Sequence, residues 1–461
     1  MKGYVPMRKL SLLICVVMAF VTVVGLLPVK AEALTFSPDF DIYSEAAYLV
    51  NLDTGEVIYE KNADKQLVPA SLTKIMTAII LIEKYKDNIS ALANTYVSGT
   101  SACFDELYMT GASTADIRIG EKVSYKDLLY ALMLRSACEA ANIIAYNVAG
   151  SLEEFVEMMN IKAEELGCRD THFTNSHGLF WENHYTTARD MAKILDYALS
   201  LPMFAEISCS ESYTMEATAF HKERVISHTN YMMSKVNGGD YYYEYVKGIK
   251  TGTLDEAGRC LATLAYKDGY SYMLITLNAP MKDANGNNVF YNFIDHKKIY
   301  EWSFANFEYT TLLNGSEEKA EVPVSYGDGV DYVIVKPDKE FSRIWNTRIP
   351  VGSVHEIITL EKNVIAPIKA GQKLGTVELQ YSGETLAIVD LVATSDVARS
   401  ERTALLTVAK SFIGSNQFYQ AAKYSVGFFI IYTVLIIVLK VIVAKNNKKR
   451  SRMYSAPKRR R

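Results

Sequence analysis

Two long apolar runs, one near each end of the chain, constrain what can lie between them. The first, residues 10–29, follows a basic start that includes Lys2 and Arg8 and precedes small residues that end at Ala33. This order is typical of a secretory signal peptide cleaved after Ala33, with an uncleaved anchor as the alternative. Either way, we expect the body of the chain to fold outside the cytoplasm.

The second apolar run, residues 424–444, is long enough to cross a bilayer. Nine lysines and arginines follow it between Lys445 and Arg461. Basic residues beside a span mark the cytoplasmic side, so the sequence predicts a single-pass protein of the cell membrane with its body outside and a short tail inside. Because the whole-chain charge is only −3 and the basic tail adjoins a span, we expect no nucleic-acid partner.

Length and composition indicate more than one folded domain. The chain has 461 residues, of which 49% are apolar and 22% charged, as in ordinary globular proteins. The predicted segments are a signal peptide at 1–33, a first domain at 34–306, an all-β domain at 307–398, a linker at 399–423, a transmembrane helix at 424–444 and a basic cytoplasmic tail at 445–461.

Strand patterns lie at both ends of the first predicted domain, and helical patterns lie between them. We therefore expect an α+β fold in which the terminal strands share one antiparallel sheet. The strands are predicted at 46–51, 56–61, 245–250, 260–266 and 270–277, and the helices at 71–85, 125–149 and 151–165. The second domain alternates short strands and turns, which predicts a small all-β module.

The cysteines and histidines give no sign of a metal site. Five cysteines remain after Cys15 leaves with the signal, and they form no Cys-x-x-Cys pair. The seven histidines lack the spacing of a metallopeptidase. We predict neither a metal nor another cofactor.

A serine and a lysine three residues apart, Ser71 and Lys74, begin an apolar helical stretch. This spacing puts both side chains on one helical face, where the amine can take the hydroxyl proton that a serine nucleophile must lose. The same pattern recurs at Ser316 and Ser455. An isolated match is typical of a helix cap beside a solvated lysine, so other residues must decide.

Two further elements favour the chemical interpretation. Lys250-Thr251-Gly252 ends a predicted strand, where a lysine and a hydroxyl can bind a carboxylate and a glycine allows a ligand backbone to come close. Ser136 stands at a break in the helical stretch at 125–149 and supplies a second hydroxyl.

Ser-x-x-Lys, a second serine motif and Lys-Thr-Gly, in that order, resemble the signature of penicillin-recognising serine enzymes. The chain is most similar to the low-molecular-mass D-alanyl-D-alanine carboxypeptidases among the penicillin-binding proteins. The resemblance extends over nearly all of the chain between signal and linker, and its most specific segments are residues 69–78, 175–179, 187–191, 246–252 and 369–375.

The resemblance implies a penicillin-binding/β-lactamase-like transpeptidase domain and a reaction. The enzyme would remove the terminal D-alanine from peptidoglycan stem peptides that end in D-Ala-D-Ala, and β-lactams would inhibit it by acylating the same serine. The implied roles are Ser71 as nucleophile, Lys74 as general base, Ser136 as proton shuttle, Lys250 and Thr251 as carboxylate ligands, and the N–H groups of Ser71 and Thr253, just after Gly252, as oxyanion donors. Lys74 would act as a neutral amine, its pKa lowered by burial and by Lys250.

One position departs from the family pattern. The second motif usually ends in asparagine, where this chain has Cys138, and a thiol is a poor hydrogen-bond donor. Asn142, one turn further, could compensate, although we expect it to pack locally, and we expect His177 to support the site through hydrogen bonds. The departure leaves open a catalytically weak or inactive wall-binding protein of the same fold. A β-lactamase is the other alternative.

Overall fold

A computed structural model describes residues 34–454, with side chains to residue 448, so the predicted signal peptide lies outside the described residues. The described chain divides into two compact units. The first ends at Thr311 and also includes Ser342–Val354 and Tyr381–Glu384. The second contains Leu312–Phe341, His355–Gln380 and the chain from Thr385 onward.

A five-stranded antiparallel sheet is the frame of the first unit, with the strand order β2-β1-β9-β8-β7. Its strands are β1 (Ala46–Asn51), β2 (Val57–Lys61), β7 (Val246–Leu254), β8 (Gly258–Lys267) and β9 (Tyr270–Ala279). The first strand of the unit pairs with β9, more than 200 residues later in the chain. The prediction that the terminal strands share one antiparallel sheet is therefore confirmed.

Helices and short strands fill the sequence between β2 and β7. They are α1 (Lys74–Lys84), α2 (Ala91–Asn94), β3 (Tyr96–Val97), β4 (Val123–Ser124), α3 (Tyr125–Leu134), α4 (Cys138–Ala149), α5 (Leu152–Glu165), α6 (Ala188–Ser200), α7 (Phe204–Ser208), β5 (Ser212–Met215) and β6 (Arg224–Ser227). A further helix, α8 (Tyr291–Asn306), follows the sheet. Residues 74–82 of α1 are all buried, so this helix runs through the core.

Side-chain caps explain where three of these helices begin. Ser124, Ser151 and Thr187 accept hydrogen bonds from backbone N–H groups in the first turns of α3, α5 and α6. The break predicted near Ser136 is also present, because α3 ends at Leu134 and α4 begins at Cys138. Ser136 itself has a positive φ of 63°, which interrupts the helical path and turns its side chain toward the site.

The second unit contains a six-stranded sheet with the order β14-β16-β17-β12-β11-β15, which confirms the all-β prediction. Its strands are β11 (Ala320–Ser325), β12 (Tyr332–Pro337), β14 (His355–Leu360), β15 (Val364–Ile365), β16 (Lys373–Tyr381) and β17 (Glu384–Ala393). Two other strands, β10 (Phe307–Leu313) and β13 (Phe341–Asn346), pair with each other and belong mostly to the first unit. Neither strand was predicted.

Two helices end the described chain, and one of them occupies the predicted linker. Helix α9 (Glu401–Ile413) is capped by Ser400 and exposes the apolar side chains of Leu405, Val408 and Phe412. Helix α10 (Asn416–Tyr454) follows after two residues. Its Asn416–Lys448 portion is apolar, exposed and long enough to cross a membrane, so it is a candidate anchor.

Candidate active site

A tight turn, Ala70–Thr73, presents Ser71 directly before α1. Ala70 has a positive φ of 48°, an uncommon conformation for alanine, and the surrounding contacts hold it in place. Thr73 Oγ1 donates to Ala70 O at 2.8 Å and lies 2.8 Å from a ring nitrogen of His184. Gly178 packs so tightly on the turn that a Cβ there would lie 2.0 Å from Ala70 O. The nucleophile candidate is therefore held by packing on both sides of the turn.

Lys74 is fully buried, and its ammonium nitrogen lies among three candidate partners. Nζ is 3.0 Å from Ser71 Oγ and 3.4 Å from Cys138 Sγ, and it donates to the backbone carbonyl of His177. Burial lowers the pKa of Lys74, while Cys138 opposes the shift and raises it. A neutral Lys74 has a lone pair, which at this distance can accept the Ser71 proton.

The second serine motif lies beside these groups. Ser136 is buried and lines the same cavity as Ser71. Cys138, the first residue of α4, points its sulfur at Lys74 rather than into that cavity. The thiol thus takes the position next to the amine that the family pattern gives to an asparagine amide.

Strand β7 passes the turn at short range because its motif ends in glycine. A Cβ at Gly252 would lie 3.0 Å from Ala70 Cβ and 3.1 Å from Pro69 O. The Thr251 hydroxyl on this strand is 2.6 Å from that of Thr229. The close approach brings the backbone of Thr253 beside the nucleophile turn.

Lys250 is buried beneath the strand and does not line the cavity. Its Nζ donates to the Thr251 carbonyl at 3.1 Å. Burial, and then the charge of Lys74, hold the pKa of Lys250 well below its ordinary value. Lys250 therefore contacts the backbone of the strand, while Thr251 lines the cavity.

A cavity of about 170 Å³ brings together Ser71, Ser136, Thr251 and Thr253. Of the other predicted site residues, Lys74 and Lys250 are buried and do not line the cavity, and Gly252 lies on β7 between Thr251 and Thr253. The remaining lining residues were not predicted: Ser113, Thr229, Tyr231, Arg259, Phe290, Asn292 and Phe293.

Arg259 is the most informative of the missed residues. Of the described residues that line this cavity, it alone is cationic. Its guanidinium carbon lies 4.0 Å from the centre of the Phe290 ring, and its Nε donates to Val289 O. Arg259 faces Thr253 across the β7–β8 pair, a neighbour that only the strand register reveals.

The buried carboxamide of Asn142 does not reach Lys74. Its Nδ2 donates to Glu106 at 2.7 Å, and its Oδ1 accepts from Ser176 Oγ at 2.7 Å. As expected, Asn142 packs where it lies and does not replace the missing amide. His177 supports the site through its carbonyl, while its Nε2 lies 2.9 Å from Glu106. Burial lowers the pKa of the His177 ring.

Comparisons with known proteins agree with this geometry. A family model described as D-alanyl-D-alanine carboxypeptidase matches residues 32–281. A second model, described as the C-terminal domain of penicillin-binding protein 5, matches residues 307–399. The D-alanyl-D-alanine carboxypeptidase DacF of Bacillus subtilis is 30% identical over 361 residues, which are 77% of this chain and 86% of the relative.

Two solved structures carry the comparison into three dimensions. The D-alanyl-D-alanine carboxypeptidase DacD of Francisella tularensis is 21% identical, with 82% of this chain and 98% of that chain covered and a TM-score of 0.60. A Streptomyces DD-transpeptidase is 28% identical, with 58% and 100% covered and a TM-score of 0.51. The latter has been solved as variants at a serine and at a cysteine two positions further along.

Proposed function

The chain belongs to the family of D-alanyl-D-alanine carboxypeptidases, the low-molecular-mass penicillin-binding proteins, and from this premise we propose how its residues carry out the reaction. It is a serine-type D-Ala-D-Ala carboxypeptidase, a hydrolase of cell-wall peptides. The observation that carries the proposal is the convergence of Ser71, Ser136 and Thr251 on one cavity above a buried Lys74.

Acylation begins with proton transfer from Ser71 to the neutral amine of Lys74, 3.0 Å away. The serine oxygen then attacks the carbonyl carbon of the penultimate D-alanine. The N–H groups of Ser71 and Thr253 stabilise the oxyanion that forms. As the carbon–nitrogen bond breaks, the Lys74 ammonium returns its proton through the Ser136 hydroxyl to the leaving amine, so that D-alanine departs and Lys74 is neutral again.

Deacylation repeats the sequence with water in place of the serine. Lys74 takes a proton from the incoming water, which attacks the ester carbonyl of the acyl-enzyme. Collapse of the second tetrahedral intermediate breaks the bond to Ser71 Oγ and returns the proton to it. Released products are one D-alanine and a stem peptide shorter by one residue.

Recognition of the terminal carboxylate falls to the opposite wall of the cavity. Thr251 and Arg259 both line it. The guanidinium of Arg259 can form a hydrogen bond with a carboxylate in which both partners are charged, and such bonds are stronger than those between neutral groups. Lys250 holds the same strand through its hydrogen bond to the Thr251 carbonyl. A substrate carboxylate that enters here pairs with Arg259, the single cationic side chain among the described lining residues.

Cys138 is compatible with this chemistry. The Streptomyces DD-transpeptidase has a serine and a cysteine at the same spacing as Ser136 and Cys138. We therefore infer that the thiol does not make this chain an inactive wall-binding protein. The domain matched by the penicillin-binding protein 5 model also favours a carboxypeptidase over a β-lactamase.

The same relative suggests a second candidate function, transfer of the acyl group to an amine in place of water. The two reactions share the acyl-enzyme and differ only in the acceptor. Adding glycylglycine to the assay separates them, because a transpeptidase forms a new peptide at the expense of the hydrolysis product.

The candidate anchor gives the protein a place in the cell. We infer that α10 crosses the cell membrane once, with the catalytic unit on the wall side and the basic end of the chain in the cytoplasm. This orientation puts the active site where peptidoglycan peptides are exposed.

A direct test measures D-alanine release from a synthetic pentapeptide ending in D-Ala-D-Ala, together with labelling by a fluorescent penicillin. Ser71→Ala should abolish both signals. Ser316→Ala, at the other Ser-x-x-Lys pattern in the described chain, is the matched control and should keep both. Equal labelling of the Ser71→Ala variant and the unchanged protein would defeat the assignment.

A further inference from the structure

A buried polar side chain in the cavity beside Ser71 lacks a hydrogen-bond partner for its oxygen among the described residues. Asn292 is the second residue of α8, exposes only 2% of its surface, and lines the cavity of about 170 Å³ that also contains Ser71. Its Oδ1 accepts no hydrogen bond from the described residues. A buried acceptor without a donor costs stability, so its place in a binding cavity indicates a ligand that supplies the donor.

Aromatic packing holds Asn292 at the cavity wall. Phe290 and Phe293 flank it in the sequence and stack with their ring centres 5.2 Å apart. Tyr231 and Tyr241 each pack edge-on against both of these rings. Because the rings fix the backbone before and after Asn292, its buried amide is a lasting feature of this wall.

Asn292 belongs to the corner of the cavity that contains Arg259. The guanidinium carbon of Arg259 lies 4.0 Å from the centre of the Phe290 ring, and Arg259 Nε donates to Val289 O. Arg259 thus packs against the segment that leads into Asn292. In the proposed reaction Arg259 binds the terminal carboxylate. The side chain of the terminal residue must lie near the same corner, because it shares a carbon atom with that carboxylate.

A terminal D-alanine offers Asn292 no donor at this corner. Its carboxylate only accepts hydrogen bonds, and its side chain is a methyl group. The remaining donor, the N–H of the scissile bond, belongs beside Ser71 and Ser136, where that bond breaks. A hydroxyl on the terminal side chain would lie close to the carboxylate and could donate to the Asn292 oxygen. Since a hydroxyl also accepts, it suits either orientation of the amide.

The rest of the wall also favours a polar substituent. Of the described residues that line the cavity, only Phe290 and Phe293 have no polar side-chain atom. Ser113 and Thr229 add hydroxyl groups that have no role in the proposed reaction. Polar groups without a partner make a poor match for a methyl group and a good one for a hydroxyl.

We propose that the enzyme also removes a terminal D-residue with a short hydroxylated side chain, of which D-serine is the simplest, and that Asn292 determines this specificity by accepting the hydroxyl. The bond changes are those of the proposed reaction: Ser71 is acylated, the leaving amine takes its proton, D-serine departs, and water hydrolyses the ester. The proposal rests on the proposed function and adds a second class of stem peptide as substrate.

The test compares three peptides that differ only in the terminal residue, which is D-alanine, D-serine or D-2-aminobutyrate. D-2-Aminobutyrate has a methyl group where D-serine has its hydroxyl, so this pair separates the hydrogen bond from the size of the side chain. The unmodified protein should have a kcat/KM about tenfold or more higher for D-serine than for D-2-aminobutyrate, because only D-serine supplies the donor. The D-alanine peptide reports the basal reaction.

Asn292→Leu replaces the carboxamide with an apolar group of similar size, so the ratio of kcat/KM for the D-serine and D-2-aminobutyrate peptides should fall close to one. Asn292→Asp keeps an oxygen acceptor and should keep the ratio, even where repulsion of the substrate carboxylate lowers all three values. Asn285→Leu, at an exposed position in the turn before α8, is the matched control and should leave the ratio unchanged. Thermal unfolding of each variant verifies that it is folded.

Equal kcat/KM values for the D-serine and D-2-aminobutyrate peptides in the unmodified protein would overturn the proposal without any variant. A ratio that survives Asn292→Leu would also overturn it, because the carboxamide would then not act on the hydroxyl. Failure of the proposed function gives a different result. In that case no peptide releases its terminal residue, and penicillin labelling does not depend on Ser71.

Discussion

At the scale of single residues, the chemistry depends on how readily Lys74 gives up its proton. The amine is buried against Ser71, Cys138 and the His177 carbonyl, with no water-exposed surface to stabilise a charge. Burial therefore lowers its pKa, while Cys138 raises the pKa and partly offsets the effect of burial. Because a lowered pKa keeps the amine neutral and able to accept a proton, the thiol reduces the fraction of Lys74 that can act as a base.

The rate of acylation should depend on pH in a way that reports this balance. Acylation needs neutral Lys74, so its rate should rise as pH rises through the lowered pKa and level off at a lower pH than it would for an ordinary lysine, whose pKa is 10.5. Cys138→Ala removes a group that raises this pKa, so the rising limb should move to lower pH. Second-order rates of penicillin acylation between about pH 5 and 10 test both statements. A limb that moves upward in the variant would contradict the assignment of Lys74 as base.

Arg259 offers a second test at this scale. Arg259→Gln should lower kcat/KM for a D-Ala-D-Ala peptide about 10- to 100-fold, because it removes a charged hydrogen bond to the terminal carboxylate. The same substitution should change little for a peptide whose terminal carboxylate is amidated. Arg118→Gln, an exposed arginine paired with Asp116, is the control. An equal loss on both peptides would instead indicate a purely structural role.

These residues also show what the sequence could and could not predict about the site. Ser71 and Lys74 are close in sequence, so helical spacing alone puts them together. Lys250 was predicted as a ligand of the terminal carboxylate, which stays a prediction, but its complete burial could not be read from the motif. Arg259 was missed because its place depends on the pairing of β7 with β8.

At the scale of elements, the loop that contains Gly178 and the turn that contains Ser71 fit together through backbone contact. Gly178 has a positive φ of 83°, and a Cβ there would lie 2.0 Å from Ala70 O. A non-bonded contact that short is not tolerated, so one of the two backbone segments must shift if a side chain is added. Gly178 therefore helps to fix the position of Ser71, although it is not itself a catalytic residue.

Gly178→Ala should lower both stability and acylation, with a cost in unfolding free energy of about 2–4 kcal/mol from strain and clash together. Gly269→Ala is the matched control, because Gly269 has a φ of 85° and open space around it. It should show only the strain of the left-handed conformation, about 1 kcal/mol, and normal acylation. Denaturant unfolding and penicillin-labelling rates give the two quantities. Equal behaviour of the two variants would mean that the contact with Ala70 has no role.

Elements differed in how well the sequence predicted them. Strands β8 and β9, each ten residues long and joined by a short turn, were predicted within two residues of their observed ends. Strand β15 has two residues, too few for a periodic pattern, and β10 directly continues the chain from α8. The helix α9 was assigned only as linker, although its spacing of Leu405, Val408 and Phe412 is amphipathic.

At the scale of the whole molecule, the chain combines a catalytic unit, a β unit and an exposed apolar helix. The candidate span in α10 begins only two residues after α9 ends. A single span of this length holds a protein at the membrane without further help. The catalytic groups all belong to the first unit, so catalysis should not need the anchor.

Removing residues 416–461 should convert the protein from one that needs detergent to one that is soluble in buffer. Its rate of penicillin labelling should stay within about twofold of that of the full chain, because no residue of the site is touched. Fractionation of membranes followed by fluorescent-penicillin labelling measures both. If the shortened chain still sediments with membranes, the apolar face of α9 is sufficient for attachment and the span is not the sole anchor.

Ser71 shares one cavity with Thr251 and Arg259, and this determines the order in which reactants enter and leave the enzyme. Once the first product has gone, this cavity is empty while the shortened peptide is still bound to Ser71 as an ester. The acceptor that attacks the ester next, water or an amine, then enters through the space that D-alanine has left. Free D-alanine at high concentration should therefore bind in this space and attack the ester, which re-forms the original peptide. Isotope-labelled D-alanine should then appear in the starting material while net hydrolysis is still under way.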